Sequence, residues 1–180
     1  MSEPLPTFRF HPDPVLSGAV EASPEACSCC GAARGYLYTG PCYVEDDFEA
    51  VLCPWCIADG SAFRRFGVTF AEIEPRPGFD LRIADELEER TPGITTWNPI
   101  DWPVCCKGPM AYVEPVGHAE LETRHAALAA ALPAMVAAEF AIDAAEAEEL
   151  CLRLQRDHAP TAHVFRCLSC RRSQAVLDFD

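Results

Sequence analysis

The longest stretch of helical patterning runs over residues 119–158. AELETRHAALAAAL is rich in alanine and leucine, which carry the highest intrinsic helix propensities. Pro133 is expected to interrupt or restart that helix, because it lacks an N–H and clashes with the preceding turn. Asp143 and Glu146 form a D-x-x-E start of capping-box type. The segment that follows places Leu150, Cys151 and Leu154 on one face, with acids leading and arginines trailing as the helix dipole favours. A shorter acidic helix is predicted over ADELEER, 84–90, ended by Pro92-Gly93. IADGSAFRRF fits one or two helical turns.

Strand patterning is short and scattered. AHVFRCLSCRRSQAVLDFD reads as strand, C-x-x-C turn, strand. GYLYTG and CYV, bounded by glycine, proline and acids, read as a hairpin. Residues 95–113 are expected to be irregular with one strand at their end. Residues 1–25 carry Pro4, Pro6, Pro12, Pro14 and Pro24, which makes extended, turn-rich chain. Residues 67–79, with Pro75, Pro77 and Gly78, read as loop, and no repeat at a solenoid period is visible. The fold class expected is α+β in a single domain spanning 1–180.

Composition narrows the function classes. The chain has 180 residues, 49% of them hydrophobic, enough to bury a core. Its formal net charge is −14, and Lys107 is the sole lysine. That balance argues against nucleic-acid binding, which needs clustered Lys and Arg against phosphates. It suits a solvated surface or a basic protein partner. The start, MSEPLPTFRF, has neither a basic n-region nor an apolar run, and no stretch reaches the roughly 18 apolar residues of a membrane span. A cytoplasmic location is therefore expected.

Cysteine is the residue that changes the picture. There are 11, an odd number that cannot pair fully within one chain. In a cytosolic chain, C-x-x-C pairs favour metal or redox chemistry over disulfide scaffolding. Cys27/Cys30 and Cys53/Cys56 supply four soft ligands, the set a tetrahedral zinc site takes. The order is knuckle, hairpin, second pair, helix, as in a treble-clef module over 27–66. Cys53 and Cys56 then sit at a helix N-terminus, which favours thiolate. Cys29 and Cys42 are alternative ligands or small buried hydrophobes. The competing reading is a thiol-disulfide oxidoreductase using Cys53 and Cys56. It rests on C-P-W-C alone, without the upstream βαβ unit such sites follow.

Cys167 and Cys170 form a third pair, in a hairpin of zinc-knuckle type. A second metal site needs two more ligands, for which Cys105 and Cys106 are the nearest candidates. Adjacent cysteines point their side chains differently, so one zinc held by both is awkward but possible, and His118, His158 or His163 could substitute for one. Cys151 reads as core. Catalytic constellations are weak: His11, His118, His125, His158 and His163 are scattered, and no G-x-S-x-G, H-E-x-x-H or P-loop is present. The zinc-deaminase P-C-x-x-C is absent, because Pro54 lies inside its pair. Asp46, Asp47 and Glu49 read as a solvated acidic loop. Trp55, Trp97 and Trp102 read as braces for irregular loops.

LPTFRFHPDP, ARGYLYTGPCY, LCPWCIADGSA, ERTPGITTW and VFRCLSC together resemble the CbrC family of bacterial proteins over nearly the whole chain. The resemblance implies three C-x-x-C motifs, here Cys27/Cys30, Cys53/Cys56 and Cys167/Cys170. It also implies H-C-G-D-x-C after the last tryptophan, where this chain has Cys105-Cys106-Lys107-Gly108-Pro109-Met110. Cys106 then matches a ligand-like cysteine, Cys105 replaces the histidine and Met110 replaces a second cysteine. The family's name carries a link to colicin resistance. The function expected is a zinc-stabilised acidic protein-binding module with an immunity-like role, its partner a basic protein such as a toxin. No nucleic acid and no membrane are expected.

Overall fold

The computed structural model describes residues 3–44, 49–74 and 80–180. Asp46, Asp47 and the expected loop over Pro75, Pro77 and Gly78 lie outside the described residues, while Glu49 is exposed.

The N-terminal part is built on short elements. β1 (Val20–Ala22) pairs antiparallel with β2 (Tyr36–Tyr38), Val20 opposite Tyr38. The hairpin expected from GYLYTG and CYV is thus corrected. The YLY strand pairs backwards with the proline-rich arm, and Tyr43 makes its bridge to Thr69 instead. The reason is burial: Val20, Leu37 and Tyr38 join one core with Phe8, Leu52, Trp55, Ile57 and Phe70. After Cys53 the chain turns into α1 (Pro54–Ala58), with proline in the first turn, where its missing N–H costs nothing. Gly60, at φ 73, separates it from α2 (Ser61–Phe66), and α3 (Leu81–Arg90) follows. The Asp80 carboxylate starts α3 by accepting from the Arg82 amide, so the helix begins ahead of the predicted ADELEER.

A tight hairpin that the sequence reading missed comes next: β3 (Val104–Cys105) against β4 (Gly108–Pro109). β5 (Ala111–Val116) leads through Gly117 into α4 (His118–Arg124), whose start is capped by Glu120 accepting from the Gly117 N–H at 2.9 Å. α5 (Ala126–Phe140) and α6 (Ala144–Leu152) complete the helical part. The predicted capping box is present: Asp143 accepts from Ala145 and Glu146, both at 2.9 Å, and Glu146 accepts from the Asp143 N–H.

Pro133 does not interrupt the helix as expected. α5 runs through it, held by Leu128, Leu132 and Val136 in the core, and the break falls earlier, at His125. There the chain leaves helical geometry, and the His125 Nε2 lies 3.0 Å from the carboxylate of Glu114. Glu114 is buried on β5 and is also held by Arg124 and by Arg156 at 3.0 Å. The bend thus brings the His125 ring onto a buried acidic side chain that needs polar partners.

β6 (Thr161–Arg166) and β7 (Ser173–Asp178) form the predicted C-terminal hairpin, and β5 adds to it in the order β5-β6-β7. The register of β5 on β6 slips between Tyr112 and Glu114. That bulge sends Tyr112, with Phe165, into a core shared with Phe10, Leu87, Ile94, Trp102 and Met110. It turns Val116, with Ala162 and Val164, onto the helices α4 to α6. β6 is consequently buried on both faces. The arm crosses these parts: Phe10 accepts from the Tyr112 amide, and His11 Nδ1 donates to the Pro92 carbonyl at 2.8 Å. No helix among the described residues is long and apolar enough to cross a membrane.

Candidate metal centres

Two groups of four cysteines assemble, and each draws its halves from distant sequence. Cys27, Cys30, Cys53 and Cys56 have their sulphurs within 4.8 Å of one another, and so do Cys105, Cys106, Cys167 and Cys170. Edge distances are 3.8 Å for Cys27–Cys56, 3.9 Å for Cys30–Cys53, 3.8 Å for Cys105–Cys106 and 3.7 Å for Cys105–Cys170. A disulfide needs about 2.05 Å. A tetrahedron of thiolates at about 2.3 Å from a central zinc has edges of about 3.8 Å. The sulphurs stand at the metal spacing.

One pair of each cluster, Cys27/Cys30 and Cys167/Cys170, is a knuckle with the same backbone bonding. Gly31 N–H donates to the Cys27 carbonyl at 2.7 Å, and Cys27 N–H donates to Ala32 at 3.1 Å. At the other centre Arg171 N–H donates to Cys167 at 3.1 Å and Cys167 N–H to Arg172 at 2.8 Å. The residue after the second cysteine is left-handed in both, Gly31 at φ 71 and Arg171 at φ 64. The first sulphur accepts amide protons: Cys27 from Cys29 at 3.3 Å and Cys53 at 3.2 Å, Cys167 from Cys170 at 3.5 Å.

Those amides set the proton distribution. Burial opposes ionisation of Cys27, yet the amide donors bring its pKa down to about 7. The Cys170 amide is the largest influence on Cys167 and lowers it to about 6. The neighbours move the other way. Burial pushes Cys53 up to about 11, and raises Cys56. Bonds from Cys167 and Cys170 push Cys105 up to about 12. In each cluster the cysteine that accepts amide protons is thus the one favoured as thiolate, the form in which cysteine binds a metal.

The second halves differ. Cys53 is the N-cap of α1 and Cys56 lies in its first turn. Cys105 instead ends β3 and Cys106 opens the β3–β4 turn, with Cys106 at φ 51 and Lys107 at φ 64, the paired left-handed residues of a type I′ hairpin. This is how two adjacent cysteines, an awkward pair for one site, serve it together: with the left-handed bend at Cys106 their sulphurs stand 3.8 Å apart. No histidine is recruited, and Met110, wholly buried, offers its carbonyl to Trp102 Nε1 at 2.8 Å. Cys29 and Cys42 stand outside both clusters, Cys29 with its sulphur toward Ser61 and Cys42 raised to about 11 by burial. Cys151 is core. Trp55 and Trp102 brace the cores, while Trp97 is 56% exposed.

The histidines do not converge on a site. His163 bridges Tyr112 Oη and Asp178 within the sheet, and Asp178 also accepts the Trp97 and Asn98 amides. This buried network, missed by the sequence reading, ties the C-terminal strand to the irregular segment before β3. A His and an Asp separated by one hairpin turn are its only trace in the sequence.

The model of the Uncharacterised protein family (UPF0167) matches residues 5–179. The chain belongs to the UPF0167 family. It is 40% identical over 182 residues to "UPF0167 protein PA1536" of Pseudomonas aeruginosa, covering 99% of each chain. It is also 40% identical over 177 residues to "UPF0167 protein Mb2317" of Mycobacterium bovis, covering 97% of this chain and 94% of that one. No solved structure matches it.

Proposed function

We propose that this protein is an acidic protein-binding module whose fold is tied by two zinc ions, one in each four-cysteine cluster. The carrying observation is the pair of sulphur tetrahedra at metal spacing. All-sulphur tetrahedral donor sets select zinc or iron–sulphur centres, and closed sites of this kind are structural, with no open position for substrate. The ligands are Cys27, Cys30, Cys53 and Cys56 at the first centre and Cys105, Cys106, Cys167 and Cys170 at the second. Residues 27–66 make a treble-clef-like module and 95–180 the helical part with the knuckle hairpin. The contacts of Phe10 and His11 with the later chain support one domain over 1–180.

The same geometry weighs against a thiol-disulfide oxidoreductase at Cys53 and Cys56. Such an enzyme needs an accessible, low-pKa thiolate. Cys53 is fully buried with its pKa raised, and its sulphur stands beside that of Cys30.

The charge of −14 supports a basic protein as partner, gaining attraction and orientation from complementary surfaces. A nuclease toxin is the sharpest form of that partner, in line with the colicin link of the CbrC family that the chain resembles. Elemental analysis of the reduced protein, with a free-thiol count, tests the metal reading: two zinc ions with eight protected thiols are expected, and a metal-free protein overturns it. Recovery of a basic partner by pull-down, with protection in a toxin challenge, tests the partner. Failure of both removes that role and leaves the metal reading standing.

A further inference from the structure

In a chain with 28 acidic and 14 basic residues, arginines should be paired. Arg166, Arg171 and Arg172 are not: no carboxylate lies within 4.0 Å of any of them among the described residues. They converge on a groove of about 450 Å³ between the β6–β7 hairpin and α5, which Arg124 also lines and no Asp or Glu does. Three arginines without a carboxylate partner thus line one cavity, beside Arg124, whose guanidinium is held by Glu114.

The opposite wall is the first turn of α5. Its N-cap, His125, makes no side-chain capping bond, because its ring is turned to Glu114. The N–H groups of Ala126 and Ala127 have no protein acceptor among the described residues. Unsatisfied amides at the start of a helix of this length carry partial positive charge, and they border the same space as the arginines. Further along, the groove floor is apolar: Leu128, Ala131 and Met135. Arg171 adds a third sign. It holds a left-handed conformation that the first knuckle gives to glycine, while its side chain makes no polar contact within the protein.

We propose that this groove binds a small phosphorylated molecule. Arg166, Arg171 and Arg172 grip its phosphate, and an apolar or aromatic body lies over Ala131 and Met135. Planar guanidinium forks match phosphate oxygens in pairs, which point charges from lysine do not, and this groove holds arginine alone. Both walls belong to elements packed on one core, so the backbone that carries the cationic side chains is fixed before a ligand arrives. Arg171 and Arg172 belong to the knuckle of the second sulphur cluster, so the titration is made on the metal-loaded protein.

Calorimetric titration of the full-length, metal-loaded protein in about 0.15 M salt, where weak surface charge is screened, tests this. The probes are inorganic phosphate, pyrophosphate, ATP and, as a carboxylate control, citrate. Saturable binding of one pyrophosphate or ATP per chain is expected, ATP the tighter because its ring system takes the apolar floor. Arg171→Gly with Arg172→Gln should weaken it at least about tenfold, the loss that follows removal of charge-assisted bonds. Ala127→Glu, which suits a helix N-terminus and so preserves the fold, should do the same by putting a carboxylate into the groove. Absence of saturable binding, equal affinity in both variants, or citrate binding as tightly as pyrophosphate would overturn the proposal.

Discussion

The two sulphur clusters begin alike and end differently. Both start on a knuckle with matching amide–carbonyl bonds, a left-handed residue after the second cysteine and one sulphur fed by amides. The first is finished by a helix start: Cys27, Cys53 and Cys56 are buried, in a core with Leu52, Trp55 and Ile57. The second is finished by a hairpin turn, and Cys106 and Cys170 are exposed. The knuckle is thus a local motif, and what surrounds its other half decides its role. Around the first cluster the elements are only three to six residues long. The second hangs at the end of a three-stranded sheet that packs on α4 to α6 through a core of its own.

The sharpest way to break the comparison is to remove one ligand from each cluster. Cys56→Ser should unfold the N-terminal half, because strands and helices that short cannot hold themselves. On the proposed zinc reading, metal binding there is part of the folding free energy, on the order of 10 kcal/mol for a structural zinc. Cys170→Ser should release one metal ion and leave the sheet and helices cooperative, lowering the melting temperature by several degrees. Thermal unfolding by circular dichroism, with metal analysis of each variant, reads both. Equal losses from the two substitutions would show that burial does not distinguish the clusters.

The difference between the clusters also marks what could be read before folding. Cys27/Cys30 with Cys53/Cys56 was legible as a quartet because the spacing, the glycine after the knuckle and the helix after the second pair are all local signals. The C-terminal hairpin and the Asp143 cap were legible for the same reason. Cys105 and Cys106 were legible as the nearest candidates to complete the second cluster, but how two adjacent cysteines reach one site was not. It depends on left-handed geometry at Cys106 and Lys107, residues that do not advertise it as glycine or asparagine would. Nor was the partner of β2, since a strand of three residues carries no information about which distant segment will cover its edge. Pro133 misled because local propensity was overridden by the packing of Leu128, Leu132 and Val136.

Acid should act on the N-terminal side for a second reason besides ligand protonation. His11 is buried, and burial lowers its pKa to about 4; the Pro92 carbonyl and Asp13 oppose that shift without cancelling it. Its ring is neutral, donating from Nδ1 to Pro92 and receiving the Ser17 hydroxyl at Nε2, 2.7 Å away. The unfolded chain takes up the proton near pH 6.5, before the folded one does. Stability from this group is therefore complete above about pH 6.5 and lost as pH falls toward 4, reaching about 2 kcal/mol by pH 5. Urea unfolding at pH 7 and pH 5, for the natural chain and for His11→Gln, isolates it. The variant should be less stable at pH 7 but lose less on acidification. Parallel losses would remove His11 as the cause.

The smallest expected effect tests the likeness of the knuckles rather than their difference. Gly31 and Arg171 occupy equivalent left-handed positions, at φ 71 and 64, and a Cβ at Gly31 would meet nothing within 4 Å. Space is therefore not the issue there, only the backbone conformation, which costs a non-glycine residue about 1 kcal/mol. Gly31→Ala should destabilise by about that amount, and Arg171→Gly should stabilise by a similar or smaller amount, since glycine also adds entropy to the unfolded chain. The signs must be opposite if the two turns are the same device. Chemical denaturation of the two metal-loaded variants measures them, and a destabilising Arg171→Gly would mean that the arginine side chain contributes to the fold.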